Sequence, residues 1–333
     1  MKRVILLKTQ LEEASKFAIS ERFEHKRIGV ILLDNFIEIQ LSKLIQQKFT
    51  FDGMFGEIKK YSTSQKNKIL SQYDELLKAS VNELIITSQE KSLLLFCHKL
   101  RNNLYHKIDE ENLLVKVAII IFHTIIKKYQ AKWKTARMFT AFNVETIDPY
   151  HSNDEQKILM GKNSTEDWRE FMEKYFICYD ENSKTASELF SIYLLEKLEQ
   201  IREYEEFVYN EFIIFFPYAE NWKFNDYLIN YSFKTTQSLF IQKIREIEDI
   251  DIMKNEMEKL KESYKKKWRY KKGGRLKDLK ESIIHLAELP IEQSLEKLLN
   301  FRDEILMIHE SFREASNDLE EQIQNEIDQS QGN

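Results

Sequence analysis

Proline and glycine are scarce: three and seven in 333 residues. Both residues break regular structure, and an all-β protein would need many more turns. Their scarcity, with long periodic runs rich in Lys, Glu, Leu and Ile, predicts an all-α chain. Cysteine is as sparse. Cys97 and Cys178 each sit in an apolar run, so they read as buried free thiols in a reducing compartment. A disulfide framework and a Cys/His zinc set are excluded. No long hydrophobic run is present. Val4–Leu7 is too short for a signal peptide, and Val117–Ile126, interrupted by His123, falls far short of a membrane span. The expectation is a cytoplasmic protein with no membrane association. There is no Gly-rich dinucleotide loop and no G-x-S-x-G turn. Gly161-Lys162-Asn163-Ser164-Thr165 lacks the upstream glycine and the Lys-Ser/Thr pair of a phosphate-binding loop. No cofactor and no metal site is implied. The net charge of −5 leaves any nucleic-acid contact to local patches.

What remains is helix. Hydrophobic residues at 42% and charged residues at 32% suffice for a core and a solvated surface. A first helix is expected over about 9–21, with Leu11, Ala14, Phe17 and Ala18 on one face. The second, about 23–49, has its course marked by Ile28, Ile31, Leu32, Asn35, Ile39 and Leu44. The third covers about 64–86. Thr87-Ser88-Gln89-Glu90 has the form of a capping box and starts the fourth. The fifth, about 110–133, is apolar on most sides and should be central to a bundle; His123 within it reads as a hydrogen-bonded core histidine. Residues 139–163, polar and irregular around Pro149 and Gly161, read as a linker between domain 1–138 and domain 164–333. In the second domain, helices are expected over about 166–177, 185–216, 224–229 and 235–270, and a shorter one ends at Leu289-Pro290. The last, 291–327, carries Leu295, Leu298, Ile305, Ile308, Phe312, Ala315, Leu319 and Ile323 near heptad spacing. It should pair like a coiled coil, in this chain or across a dimer. The aromatic stripe Phe190, Tyr193, Tyr204, Phe207 and Phe215 reads as core.

The chemistry concentrates at Phe96-Cys97-His98-Lys99-Leu100-Arg101-Asn102-Asn103-Leu104-Tyr105-His106. Arginine is permanently charged and holds a phosphate with two parallel hydrogen bonds. Histidine moves a proton near neutral pH. An adjacent polar residue, Asn102, can orient the imidazole. Together they suit RNA cleavage without metal. Arg101 and His106 lie about 140° apart on an ideal helix, so a helix end or a second copy must complete such a site. His98, Asn102 and His106 form an i, i+4, i+8 row. The plainer reading of Arg101 is a helix-end residue complementing the dipole.

Leu100-Arg101-Asn102-Asn103-Leu104-Tyr105-His106 resembles the R-x4-6-H motif of HEPN domains, in which a polar residue, often asparagine, follows the arginine. Gly29-Val30-Ile31-Leu32-Leu33-Asp34-Asn35-Phe36-Ile37-Glu38 resembles that family's second helix, and the likeness covers about the first 135 residues. The resemblance implies an N-terminal antiparallel HEPN-like bundle and a metal-independent endoribonuclease. RNA 2′-hydroxyl attack would give a 2′,3′-cyclic phosphate, with Arg101, Asn102 and His106 as the site. It also implies a homodimer with two motifs at one site, and a bacterial toxin or anti-phage effector with an antitoxin or defence partner protein. Some HEPN toxins carry a tyrosine two residues after the histidine, modified by a partner nucleotidyltransferase; Ile108 stands there, so that regulation is not implied. The competing class is a non-catalytic HEPN-like interaction module.

One cationic run stands out in the acidic chain: Lys265, Lys266, Lys267, Trp268, Arg269, Tyr270, Lys271 and Lys272, followed by Arg275 and Lys277. Cations interleaved with aromatics suit RNA, the cations on phosphates and Trp268 or Tyr270 stacking on an unpaired base. The alternative is a solvated helix end.

Overall fold

The computed structural model describes residues 2–52, 60–106, 112–129, 150, 164–179, 184–215, 224–247, 249–266, 268, 270 and 274–331. Among these the regular elements are all helices, with no strand, so the chain is all-α. None of the described helices is long and apolar enough to cross a membrane. The chain divides into two compact units, Met1–Leu189 and Phe190–Asn333.

The first unit is built on α2, Phe23–Phe51. It packs against α1 (Lys2–Ile19), α4 (Tyr73–Asn82), α5 (Ser88–His106) and α6 (Asn112–Tyr129). The α1–α2 hairpin closes tightly because Gly29 lies on the backbone of α1: a Cβ there would stand 2.7 Å from the Ala18 nitrogen and 2.8 Å from its Cα. Val30, Leu33, Phe36, Ile37, Leu41 and Ile45 are the buried face of α2. Each such side chain contributes roughly 1.5–3 kcal/mol of transfer free energy. Of the residues that marked its course in the sequence, Ile28 and Asn35 are exposed, and Ile31, Leu32, Ile39 and Leu44 are only partly buried.

The expected third helix is two, α3 (Thr63–Ser71) and α4, separated by Gln72 in extended conformation. A capping box of Ser62 and Gln65 starts α3. The Thr87–Glu90 box is present as expected: the Thr87 N–H donates to Glu90 Oε2 at 2.8 Å, and the Glu90 N–H donates to Thr87 Oγ1 at 3.1 Å. Glu90, 2% exposed, also accepts from Lys128 Nζ at 2.6 Å and from the Tyr129 hydroxyl. The start of α5 is thereby tied to the end of α6, which is buried on most sides.

The division between units falls after Leu189, outside the expected linker at 139–163; of that stretch only Tyr150 is described. The reason is that α7 (Ser164–Tyr175) and the residues after it pack on the first unit. Trp168 meets Phe36 edge-on at 6.3 Å, and the Ile177 N–H donates to Ser15 Oγ at 3.4 Å. Lys8, fully buried on α1, lies 5.8 Å from the Tyr150 ring and 5.6 Å from the Phe171 ring.

In the second unit, α8 (Ala186–Phe215) is followed by α9 (Phe224–Thr236), α10 (Ser238–Arg245), α11 (Ile250–Lys265), α12 (Arg275–Ala287) and α13 (Ile291–Gln331). The single helix expected over 235–270 is interrupted at Gln237 and again before Asp249, whose carboxylate caps α11. Leu295, Leu298, Ile305, Ile308, Phe312, Ala315 and Leu319 of α13 are buried. Their partners are in this chain, α9 and α12. Arg275 clamps Glu304 with two bonds of 2.6 Å, and the Tyr231 hydroxyl donates to Asp318 at 2.6 Å. In α8 the buried aromatics are Phe190, Tyr193 and Phe212, whereas Tyr204 and Phe207 are half-buried.

Candidate functional site

Helix α5 turns its apolar face inward through Leu93, Leu94, Cys97, Leu100 and Leu104. The adjoining face carries His98, Arg101 and Asn102, at i, i+3 and i+4, so the three are neighbours. Opposite them α2 presents Asp34, a carboxylate only 1% exposed on a largely apolar face. Such a group is costly to bury unless it is paired. Its Oδ2 is 2.8 Å from His98 Nδ1 and 3.8 Å from Arg101 Nε. The first residue of α4, Tyr73, lies flat on the His98 ring, with centroids 3.9 Å apart and planes at 12°.

Arg101 is about a third exposed. Its Nη1 donates to Asn102 Oδ1 at 2.9 Å. Among the described residues, the bonds of Arg101 run to Asn102 and, as an ion pair, to Asp34. The carbonyl of Leu104 accepts from Arg27 Nη2 of α2. Among the described residues, Arg101 Nε and Asp34 Oδ1 are buried without a hydrogen-bond partner. Two unmet polar atoms thus converge in one cluster. Burial, then the charges of Asp34, Cys97 and Glu38 and a hydrogen bond to Asp34, hold the Tyr73 hydroxyl far above its ordinary pKa, so it stays protonated. Glu38, one turn beyond Asp34, is raised by burial and by the Asp34 charge.

Sequence reasoning placed Arg101 and Asn102 together, and they are in contact. His106 closes α5 by its backbone, and its side chain lies outside the described part. Asp34, Tyr73 and the role of His98 were missed. The available signal was an aspartate at i+4 from Val30 and i−3 from Ile37, on the buried face of α2. His123 is a core residue, 4% exposed. Its Nδ1 accepts the Tyr179 N–H at 3.0 Å, and burial lowers its pKa to about 4.

The two aromatics of the cationic run are less exposed than its sequence suggests. Tyr270, 1% exposed, sets its ring against Phe312 at 5.3 Å and donates its hydroxyl to Glu205. A base cannot stack on it; it is core because α13 offers Phe312 as an apolar seat. Trp268 packs on the cluster of Ile229, Phe233, Ile241 and Tyr264. Lys265 lies 3.8 Å from Glu262 and 3.9 Å from Asp226, and Arg275 is held by Glu304. Lys266 is exposed. Lys267, Arg269, Lys271 and Lys272 lie outside the described residues. Among the described residues no three His, Cys, Asp or Glu side chains converge as metal ligands. Comparison of the chain with protein-family models, with curated proteins and with solved structures found no match.

Proposed function

We propose that this chain is a metal-independent endoribonuclease of the HEPN type, acting as a toxin or anti-phage effector. One observation carries the reading. Arg101 sits partly exposed near the end of α5, held by Asn102, while Arg27 serves the Leu104 carbonyl. Its Nη2 has no hydrogen-bond partner among the described residues. A guanidinium so placed suits the charge that develops on phosphate oxygens during cleavage. In the proposed reaction the RNA 2′-oxygen bonds to the adjacent phosphorus and the bond to the 5′-oxygen breaks. The products are a 2′,3′-cyclic phosphate and a 5′-hydroxyl, with His106 as acid or base and Asn102 as a positioning residue. Two chains bring their motif helices together in this reading, and the cationic run of the second unit holds the RNA. The test is incubation of the purified chain with total RNA in EDTA, with chemical mapping of the ends. Cyclic phosphate at the 3′ ends supports the mechanism; a requirement for added metal contradicts it.

A second reading has its own support: Asp34 faces Arg101 from within the same chain at 3.8 Å. In that reading the cluster only stabilises an interaction module. No cleavage under any condition, with a partner complex lost in His106→Ala, would favour it.

A further inference from the structure

His98 enters neither the Arg101–His106 motif nor the fold's apolar core, yet it is the most carefully oriented side chain in the cluster. We infer that His98 is a second catalytic histidine, the general base that takes the 2′-hydroxyl proton, with Asp34 and Tyr73 as its positioning residues. The inference rests on the reading that this chain cleaves RNA at Arg101.

The orientation is set twice. Asp34 Oδ2, 2.8 Å from His98 Nδ1, is an acceptor, so the ring hydrogen sits on Nδ1 and the lone pair on Nε2. Tyr73, stacked at 3.9 Å and 12°, fixes the plane of the ring. Nε2 has no hydrogen-bond partner among the described residues, and the side chain is 18% exposed. A buried carboxylate holding the far nitrogen of a histidine whose near nitrogen is free is the arrangement a proton acceptor needs.

Placement along α5 fits as well. At 100° per residue, His98 lies about 60° from Arg101 and about 80° from His106, on the arc between them. Eight residues of rise separate the two histidines by about 12 Å along the axis, which leaves room for a phosphodiester. His98 Nε2 takes the proton of the 2′-hydroxyl, and the 2′-oxygen forms its bond to phosphorus. The bond from phosphorus to the 5′-oxygen breaks, and that oxygen leaves with a proton from His106. Arg101 faces the phosphate oxygens throughout. The charged and titratable groups around His98 are Asp34 and Glu38 from α2, Tyr73 from α4 and Arg101 from α5.

The test uses the full-length chain on a single-stranded RNA oligonucleotide. His98→Asn keeps an N–H for Asp34 but cannot take a proton. Its kcat should fall about 10²–10⁴-fold with KM and unfolding midpoint unchanged, and the acidic limb of its pH–rate profile should flatten. His106→Ala should flatten the alkaline limb instead. In His98→Ala, added imidazole should restore cleavage in proportion to its free base. Wild-type cleavage by His98→Asn, or a loss of rate with the acidic limb intact and no imidazole rescue, overturns the assignment while leaving the ribonuclease reading standing. No cleavage by the wild type overturns both.

Discussion

Two buried histidines make stability depend on pH below neutrality. His123 is neutral in the fold: its Nδ1 accepts a backbone N–H, and its buried Nε2 has no hydrogen-bond partner among the described residues. His309, 6% exposed, meets Gln200 Oε1 through Nε2 at 3.0 Å. Burial first, then Lys197 and Arg313, lowers its pKa to about 4. Burial alone brings His123 to about 4. Both folded-state values lie below the unfolded value, so between about pH 6.5 and pH 4 the unfolded chain binds more protons and stability falls with falling pH. Each group loses at most roughly 3 kcal/mol across that window. Denaturant unfolding at pH 7 and pH 5 should show the lower midpoint at pH 5; equal midpoints would contradict the assignment. The core role of His123 was legible in the sequence because an apolar run surrounds it. The role of Asp34 was not. Local order shows a polar residue among apolar ones, but not which partner, His98 sixty-four residues on, makes its burial tolerable.

At the scale of elements, α2 places Asp34, and Gly29 places α2. A Cβ at Gly29 meets the backbone of Ala18 rather than a flexible side-chain end, so the clash can only be relieved by moving a helix. Gly29→Ala should cost about 1–3 kcal/mol and lower the denaturant midpoint without changing the slope. A stability gain, as expected from helix propensity alone, would contradict the packing. The residues that marked the course of α2 do not mark its inward face, because this helix is apolar around much of its circumference. Periodicity then fixes the helix but not its inward face, and so not the side on which Asp34 lies. The Thr87–Glu90 box was legible because a cap is local chemistry. The breaks at Gln72 and Gln237 were not: neither position carries proline or glycine, and tertiary packing decides them.

At the scale of the whole molecule, all-α structure follows from the want of proline and glycine, while the boundary at Leu189 does not follow from composition. Residues 164–189 look like the start of a second helical domain. They belong to the first unit through side chains such as Trp168 and through bonds to Ser15 and His123. The cationic run likewise changes meaning once Tyr270 is seen against Phe312. Its proposed role rests on the lysines and arginine rather than on stacking. Changing Lys265, Lys266, Lys267 and Arg269 together to Ala should weaken RNA binding and flatten its salt dependence, since fewer counterions are released. Unchanged affinity and slope would leave the run as a solvated helix end.

The central claim is that Arg101 and His106 cut RNA. The most direct measurement compares wild type, His106→Ala and Arg101→Lys on one RNA in EDTA, scoring cleavage and binding separately. The account predicts cutting by the wild type alone, with binding retained in both variants. Loss of a positioned proton-transfer group costs about 10²–10⁴-fold in rate, and an ammonium does not reproduce the guanidinium fork. Wild-type cleavage by His106→Ala would contradict it.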